Sequence, residues 1–235
     1  MFSASRGTSE QRSGAHNETR VEVTSVTEAL LKLWGKVAPS ETHMDLDGVY
    51  LTDAALSQLA SFRSLTSLSP SWSDGFKPEG LTQLFSLTGL TYLDLSDTDA
   101  TDASLEGIGS LKVLSTLNLG NTEVTDAGIA KLRGMTALVT LALNDCESVT
   151  SASMVHVGQL TALESLWLCD IVVREVGLKH LTALTSLKHL SLPPGVTDST
   201  LKHLRNMPRL EKLGLWDANI TADGVKWVNV PAQEP

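Results

Sequence analysis

The chain sets short leucine triplets against polar turns with a fixed period. The pattern L-x-x-L-x-L is carried by Leu90, Leu93 and Leu95, then Leu114, Leu117 and Leu119, then Leu138, Leu141 and Leu143. It continues through Leu163, Leu166 and Leu168, then Leu187, Leu190 and Leu192, and ends with Leu210, Leu213 and Leu215. All 18 positions in these six copies are leucine, and the middle leucines step by 24, 24, 25, 24 and 23 residues. A fixed period of this size predicts stacked supersecondary units, since one unit alone cannot bury its apolar face. Two degenerate copies precede them: Leu65, Leu68 and Pro70, and before these Glu41, Met44 and Leu46. Pro70 has no N–H to donate, so strand pairing is expected to be disturbed there. The run 70–80, PSWSDGFKPEG, reads as an enlarged loop.

A second motif follows each triplet. Thr52-Asp53, Thr101-Asp102-Ala103, Thr125-Asp126-Ala127-Gly128-Ile129 and Thr197-Asp198 pair a helix N-cap with an acidic first turn. Apolar residues then recur every three positions, as in Ile129, Leu132 and Met135, or Leu201, Leu204 and Met207. Each unit therefore reads as strand, turn, short helix and return. Parallel strands with helical crossovers on one side make an α/β arc, with a concave sheet and convex helices.

The triplets and the T-D-x-G-[IL] motif resemble the leucine-rich-repeat family over roughly residues 41–228. The unit is similar to the cysteine-containing type seen beside F-boxes and in bacterial and protist repeat proteins. The resemblance implies a leucine-rich-repeat solenoid of about eight repeats that binds proteins. It also implies Cys or Asn just after each strand. This chain has Thr98, Thr122, Cys146, Ile171, Gly195 and Ala218 there, so the hydrogen-bonded ladder is expected to be partial.

Around the repeats, residues 1–22 read as a disordered polar tail and 23–40 as a capping helix. Ser25 and Glu28 fit a capping box, and Val26, Leu30, Leu33, Trp34 and Val37 share one face. The repeat domain is expected over 41–230, with Trp227, Val228 and Val230 closing the last repeat, and 231–235 as a tail. A complete F-box is not expected in the residues before the repeats.

Composition narrows the functional classes. Eighteen basic against 27 acidic residues give a net charge of −9, which repels phosphate backbones and argues against nucleic acid. No run approaches a membrane span and the N-terminus has no apolar signal region, so a cytoplasmic monomer is expected. Delivery into a host cell stays open if the source is bacterial. Two cysteines are too few for a disulfide scaffold.

Side chains between the strand leucines point to the concave face. One row is Tyr92, Thr116, Thr140, Ser165, His189 and Lys212; the next is Asp94, Asn118, Ala142, Trp167, Ser191 and Gly214. A third is Ser96, Gly120, Asn144, Cys169, Pro193 and Trp216. Tryptophan on a solvated sheet face has no core reason to be there and is enriched at binding hot spots. Trp167, Trp216, His189 and Lys212 are therefore the candidate partner-binding residues, with Tyr92 and Asp94 at the other end. The alternative is that the tryptophans cover local apolar surface or pack on each other through Pro193.

A further row, Asp97, Asn121, Asp145, Asp170, Pro194 and Asp217, is expected to accept backbone N–H bonds in the turns, with a basic partner face as the next option. No compact calcium loop is present. His156, His180 and His203 recur on successive helices, too far apart for shared zinc ligation, so no metal or cofactor is expected. Cys169 beside His189 is the single candidate for a cysteine-dependent enzyme. Cys146 reads as a buried structural thiol. The sequence thus predicts a non-enzymatic module that binds a protein or peptide. The alternative is an adapter or secreted effector whose N-terminal region recruits or directs, since repeat proteins resembling this one act as ubiquitin-ligase substrate receptors and as bacterial effectors.

Overall fold

A computed structural model describes residues 40–205 and 207–228. The expected tail 1–22, nearly all of the capping helix 23–40, Val230 and the tail 231–235 lie outside the described residues. Eight short strands, one per copy of the pattern, form one parallel sheet in sequence order. They are β1 (His43–Asp45), β2 (Ser67–Ser69), β3 (Tyr92–Asp94), β4 (Thr116–Asn118), β5 (Thr140–Ala142), β6 (Ser165–Trp167), β7 (His189–Leu192) and β8 (Lys212–Leu215). The middle leucines align in register, as Leu93, Leu117, Leu141, Leu166, Leu190 and Leu213. From Leu93 to Leu166 they are fully buried. The leucine pattern therefore becomes a continuous ladder, which only a stack of near-identical units can build.

The crossovers are short helices: α1 (Asp53–Leu59), α2 (Asp126–Ala130), α3 (Met154–Val157), α4 (Glu175–Leu178), α5 (Asp198–Leu204) and α6 (Ala222–Val225). Others are 3₁₀ segments, at Pro78–Ser86, Asp102–Leu105, Ile108–Ser110 and Lys179–Ala183. This mixture follows from apolar residues spaced by three, which eclipse on a 3₁₀ helix of three residues per turn.

The Thr-Asp motif does more than cap. Thr101 and Thr125 accept N–H bonds from Ala103 and Ala127, as expected of N-caps. Each Asp also reaches the next repeat. Asp102 accepts from the Thr125 N–H at 2.8 Å and the Thr125 hydroxyl at 2.7 Å. Asp126 does the same with Thr150, and Asp198 with Thr221. Burial pushes the Asp126 carboxyl up, but the bonds from Thr150 and Ser153 outweigh it and hold it below its ordinary range. The motif glycine makes room for this bridge: a Cβ on Gly128 would collide with the Asp102 carboxylate, and one on Gly224 with Asp198.

After the strands the expected partial ladder is present. Thr98 donates to the Leu95 carbonyl and Thr122 to Leu119, both at 2.7 Å, and the Cys146 thiol donates to Leu119 at 2.9 Å. Ile171, Gly195 and Ala218 carry no side-chain donor at this position. Cys146 is fully buried, which raises its thiol pKa.

Pro70 disturbs the sheet locally. β2 and β3 pair at two positions, against three between β3 and β4. In other repeats the N–H at this position donates across, as Leu95 does to Asn118, and proline cannot. The ladder resumes where the Trp72 N–H donates to Ser96. The following loop is enlarged by a single residue: residues 70–77 separate β2 from its helix, and residues 95–101 separate β3 from its own. The run Pro78–Gly80, read as loop, begins a 3₁₀ helix with proline in its first turn.

Candidate functional site

The concave face is built by outward side chains of the strands, whose burial alternates with the leucines. Its two halves differ chemically. Toward the N-terminus, Asp94 is the centre of a polar network. It accepts from Tyr92 Oη at 3.1 Å, Asn118 Nδ2 at 3.1 Å, the Ser96 N–H at 2.9 Å and the Ser96 hydroxyl at 2.6 Å. Tyr92 and Asp94 are half-buried, so this pair is already engaged within the chain. Burial, then the Asp94 charge and hydrogen bond, and then Asp45, push the Tyr92 hydroxyl pKa up to about 12.

This has a pH signature. A tyrosine whose folded pKa is raised contributes stability that is present below about pH 10 and is lost as pH rises through the folded value. Titration followed by phenolate absorbance should show one tyrosine ionising near 12. Asp94→Asn should move that midpoint down without reaching about 10, because burial remains. An unchanged midpoint would contradict this assignment.

Toward the C-terminus the face becomes aromatic. Trp167 in β6 is 42% exposed and Trp216, just after β8, is 68% exposed. In register Trp167 stands between Ala142 and Ser191, and Gly214 follows on β8. Small neighbours leave its ring uncovered. Lys212 is exposed, while His189 is half-buried with Nδ1 3.1 Å from the Ser165 hydroxyl. His189 pairs with Ser165 on one side and Lys212 on the other. The structure therefore places Trp167, His189, Lys212 and Trp216 across β6 to β8, apart from Tyr92 and Asp94 on β3.

Other candidates resolve differently. The Cys169 thiol donates to the Ser191 hydroxyl at 3.3 Å, while His189 Nδ1 meets the Ser165 hydroxyl, so the candidate pair of Cys169 and His189 is not hydrogen-bonded. His203 Nε2 lies 3.0 Å from Glu175 Oε1. Among the described residues no His, Cys, Asp and Glu side chains gather closely enough to hold a metal ion. No described helix is long and apolar enough to cross a membrane.

The carboxylate row behaves otherwise than expected. Asp97, Asn121, Asp145, Asp170 and Asp217 have φ between 46° and 58°, a left-handed conformation that Asn and Asp tolerate. Their first role is to turn the backbone. The N–H bonds expected of them are accepted instead by the row between the last two pattern leucines, where Asp45, Asp94 and Asn118 accept from the N–H groups of Asp47, Ser96 and Gly120. Asp97 accepts from Asn121 Nδ2 at 2.7 Å. Burial, then Asp170, Asp97 and Glu147, push the Asp145 carboxyl pKa up.

An exposed tryptophan and an exposed leucine of the pattern escaped the sequence reading. Trp72 holds the left-handed position in the second repeat with φ 56° and is 58% exposed. Leu215, a leucine of the pattern, is 37% exposed on the last described strand.

Eight parallel strands, short crossovers and an exposed inner sheet define an α/β repeat solenoid. Residues 50–234 match the family described as leucine-rich repeat region, and the chain belongs to it. A solved internalin C2 of Listeria monocytogenes is similar at 22% identity and TM-score 0.64, covering 86% of this chain and 81% of that one. An internalin F of the same species matches at 18% identity and TM-score 0.48, covering 73% and 60%. A comparison with curated proteins finds no match.

Proposed function

We propose that the chain is a non-enzymatic module that binds a protein or peptide on its concave sheet. The observation carrying this reading is the exposure of Trp167 and Trp216 on a face whose other outward residues are small or polar. An exposed tryptophan keeps a large apolar ring in water, and covering it with a partner is favourable. β6 and β8 are two strand spacings apart, about 10 Å, so one partner segment can touch both rings. The whole sheet spans on the order of 34 Å, room for a protein surface or a long peptide. Family membership and the solenoid fold support a binding role, and the separation of Cys169 from a His189 bond supports a non-enzymatic one. Cys146 on the Leu119 carbonyl, beside Thr122, supports the cysteine-containing repeat type. The adapter and effector readings place their output in residues 1–37, outside the described residues.

The test uses peptides selected from a random display library on the immobilised wild-type chain. A Trp167→Ala/Trp216→Ala variant with an unchanged circular-dichroism spectrum is expected to bind them at least about 30-fold more weakly, the usual loss at a tryptophan hot spot. Equal affinity for the folded variant would reject the concave site.

A further inference from the structure

We propose that the partner segment is basic: an extended stretch carrying arginine or lysine, laid across β6 to β8 with cationic side chains on Trp167 and Trp216 and their charge met by Asp170 and Asp217. This rests on the concave-face reading above and adds the partner's chemistry to it. Basic residues, unlike acidic ones, are sorted between the faces of the solenoid. The outward strand positions and the turn row after them carry Asp45, Asp47 and Asp94, then Asp97, Asp145, Asp170 and Asp217. Among lysines and arginines the same rows hold Lys212 alone. The helical side carries Lys131, Lys179, Lys202, Arg205 and Lys226, which offset its carboxylates such as Glu106 and Asp223. Such sorting gives the concave side a negative field that steers and orients cations.

The exposed rings sit inside that field. Trp167 lies three residues before Asp170, and Trp216 directly precedes Asp217. Asp170 and Asp217 are both exposed, and their left-handed backbone fixes them at the margin of the face. A tryptophan ring attracts a cation to its face, and a neighbouring carboxylate adds a charge-assisted hydrogen bond. The chain already uses the first of these contacts: Lys202 and Arg205 lie 5.6 and 5.9 Å from the Trp227 ring centroid. The strands carrying the rings are about 10 Å apart and Trp216 lies two residues beyond the position in register with Trp167, a diagonal of about 12 Å that an extended chain covers in roughly three to four residues. The segment should therefore carry its cations about three or four positions apart.

The experiment compares two short labelled peptides by fluorescence anisotropy on the full chain. One has two arginines at that spacing in a glycine, serine and leucine background; the other has citrulline, the neutral isostere, at both places. The arginine peptide is expected to bind at least about tenfold tighter, with the difference shrinking between about 20 mM and 150 mM salt. Asp170→Asn/Asp217→Asn should lose about tenfold for the arginine peptide and little for citrulline. The helix-side control Glu106→Gln/Asp223→Asn should lose none. Equal binding of both peptides, with Trp167→Ala/Trp216→Ala weakening both, would overturn the basic partner and keep the concave site. Equal losses from the helix-side control would also overturn it, as unspecific attraction. No binding by wild type would overturn it too. Arginine-peptide binding that survives loss of both tryptophans would sink this proposal and the concave site together.

Discussion

Asp102→Ala is expected to cost about 3 kcal/mol of stability, because two charge-assisted bonds to the next repeat vanish and the Thr125 N–H is left without its acceptor. Asp102 is a helix first-turn residue with ordinary exposure for such a site, and local propensity alone would predict a loss of a few tenths. The larger figure follows from the partner lying 23 residues away in sequence, in the neighbouring unit. In a solenoid, stability is a sum of unit terms and nearest-neighbour interfaces, so a lost bridge weakens an interface. Urea unfolding followed by circular dichroism measures it. In a Thr125→Val background the same change should cost clearly less, since the hydroxyl half of the bridge is already gone. Gly128→Ala should also destabilise, although alanine is the better helix former, because its methyl displaces the Asp102 carboxylate. A loss under about 1 kcal/mol for Asp102→Ala would reduce the motif to capping. The related Asp126 has a depressed pKa, so its contribution is present above about pH 4 and is lost as pH falls through the folded value.

Leu141→Ala is expected to cost about 3–5 kcal/mol, the range for a leucine truncated in a closed core. Leu141 is fully buried in β5 and stands in register between Leu117 and Leu166. Both flanking leucines are held by their own strands, so the cavity cannot close by collapse. Leu213 occupies the same place in β8 but is half-buried, so Leu213→Ala should cost well under half as much. Equal losses at both positions would contradict a ladder whose strength depends on neighbours on each side.

Much of the fold was legible because the period carries it. Six perfect leucine triplets fix the strands, the register and the inward face together. Helix type was less legible, because a spacing of three suits both an α-helix and a 3₁₀ turn, and Asp102–Leu105 takes the tighter one. The Asp102–Thr125 bridge was missed because Asp after an N-cap already has a local explanation. The signal that could have revealed it is the motif glycine, which recurs where the preceding repeat sends its carboxylate.

The site was partly legible for the same reason. Alternation places Trp167 outward, and the structure agrees at 42% exposure. Trp72 was missed because Pro70 breaks the leucine pattern just before it, hiding its alignment with Asp97 at the left-handed turn position. Leu215 was missed because a leucine in the pattern reads as core; its exposure comes from its place on the last described strand.

The central claim is that partners seat on the inner sheet beside Trp167. A photo-crosslinking side chain placed at position 167 or 216, and in separate chains at the helix-side positions 155 and 176, tests it with the library-selected peptides. Val155 and Val176 are exposed like the tryptophans, at 40% and 59%, so accessibility does not bias the comparison. The account predicts cross-links from the concave positions and none above background from the helix side; cross-links confined to positions 155 and 176 would contradict it.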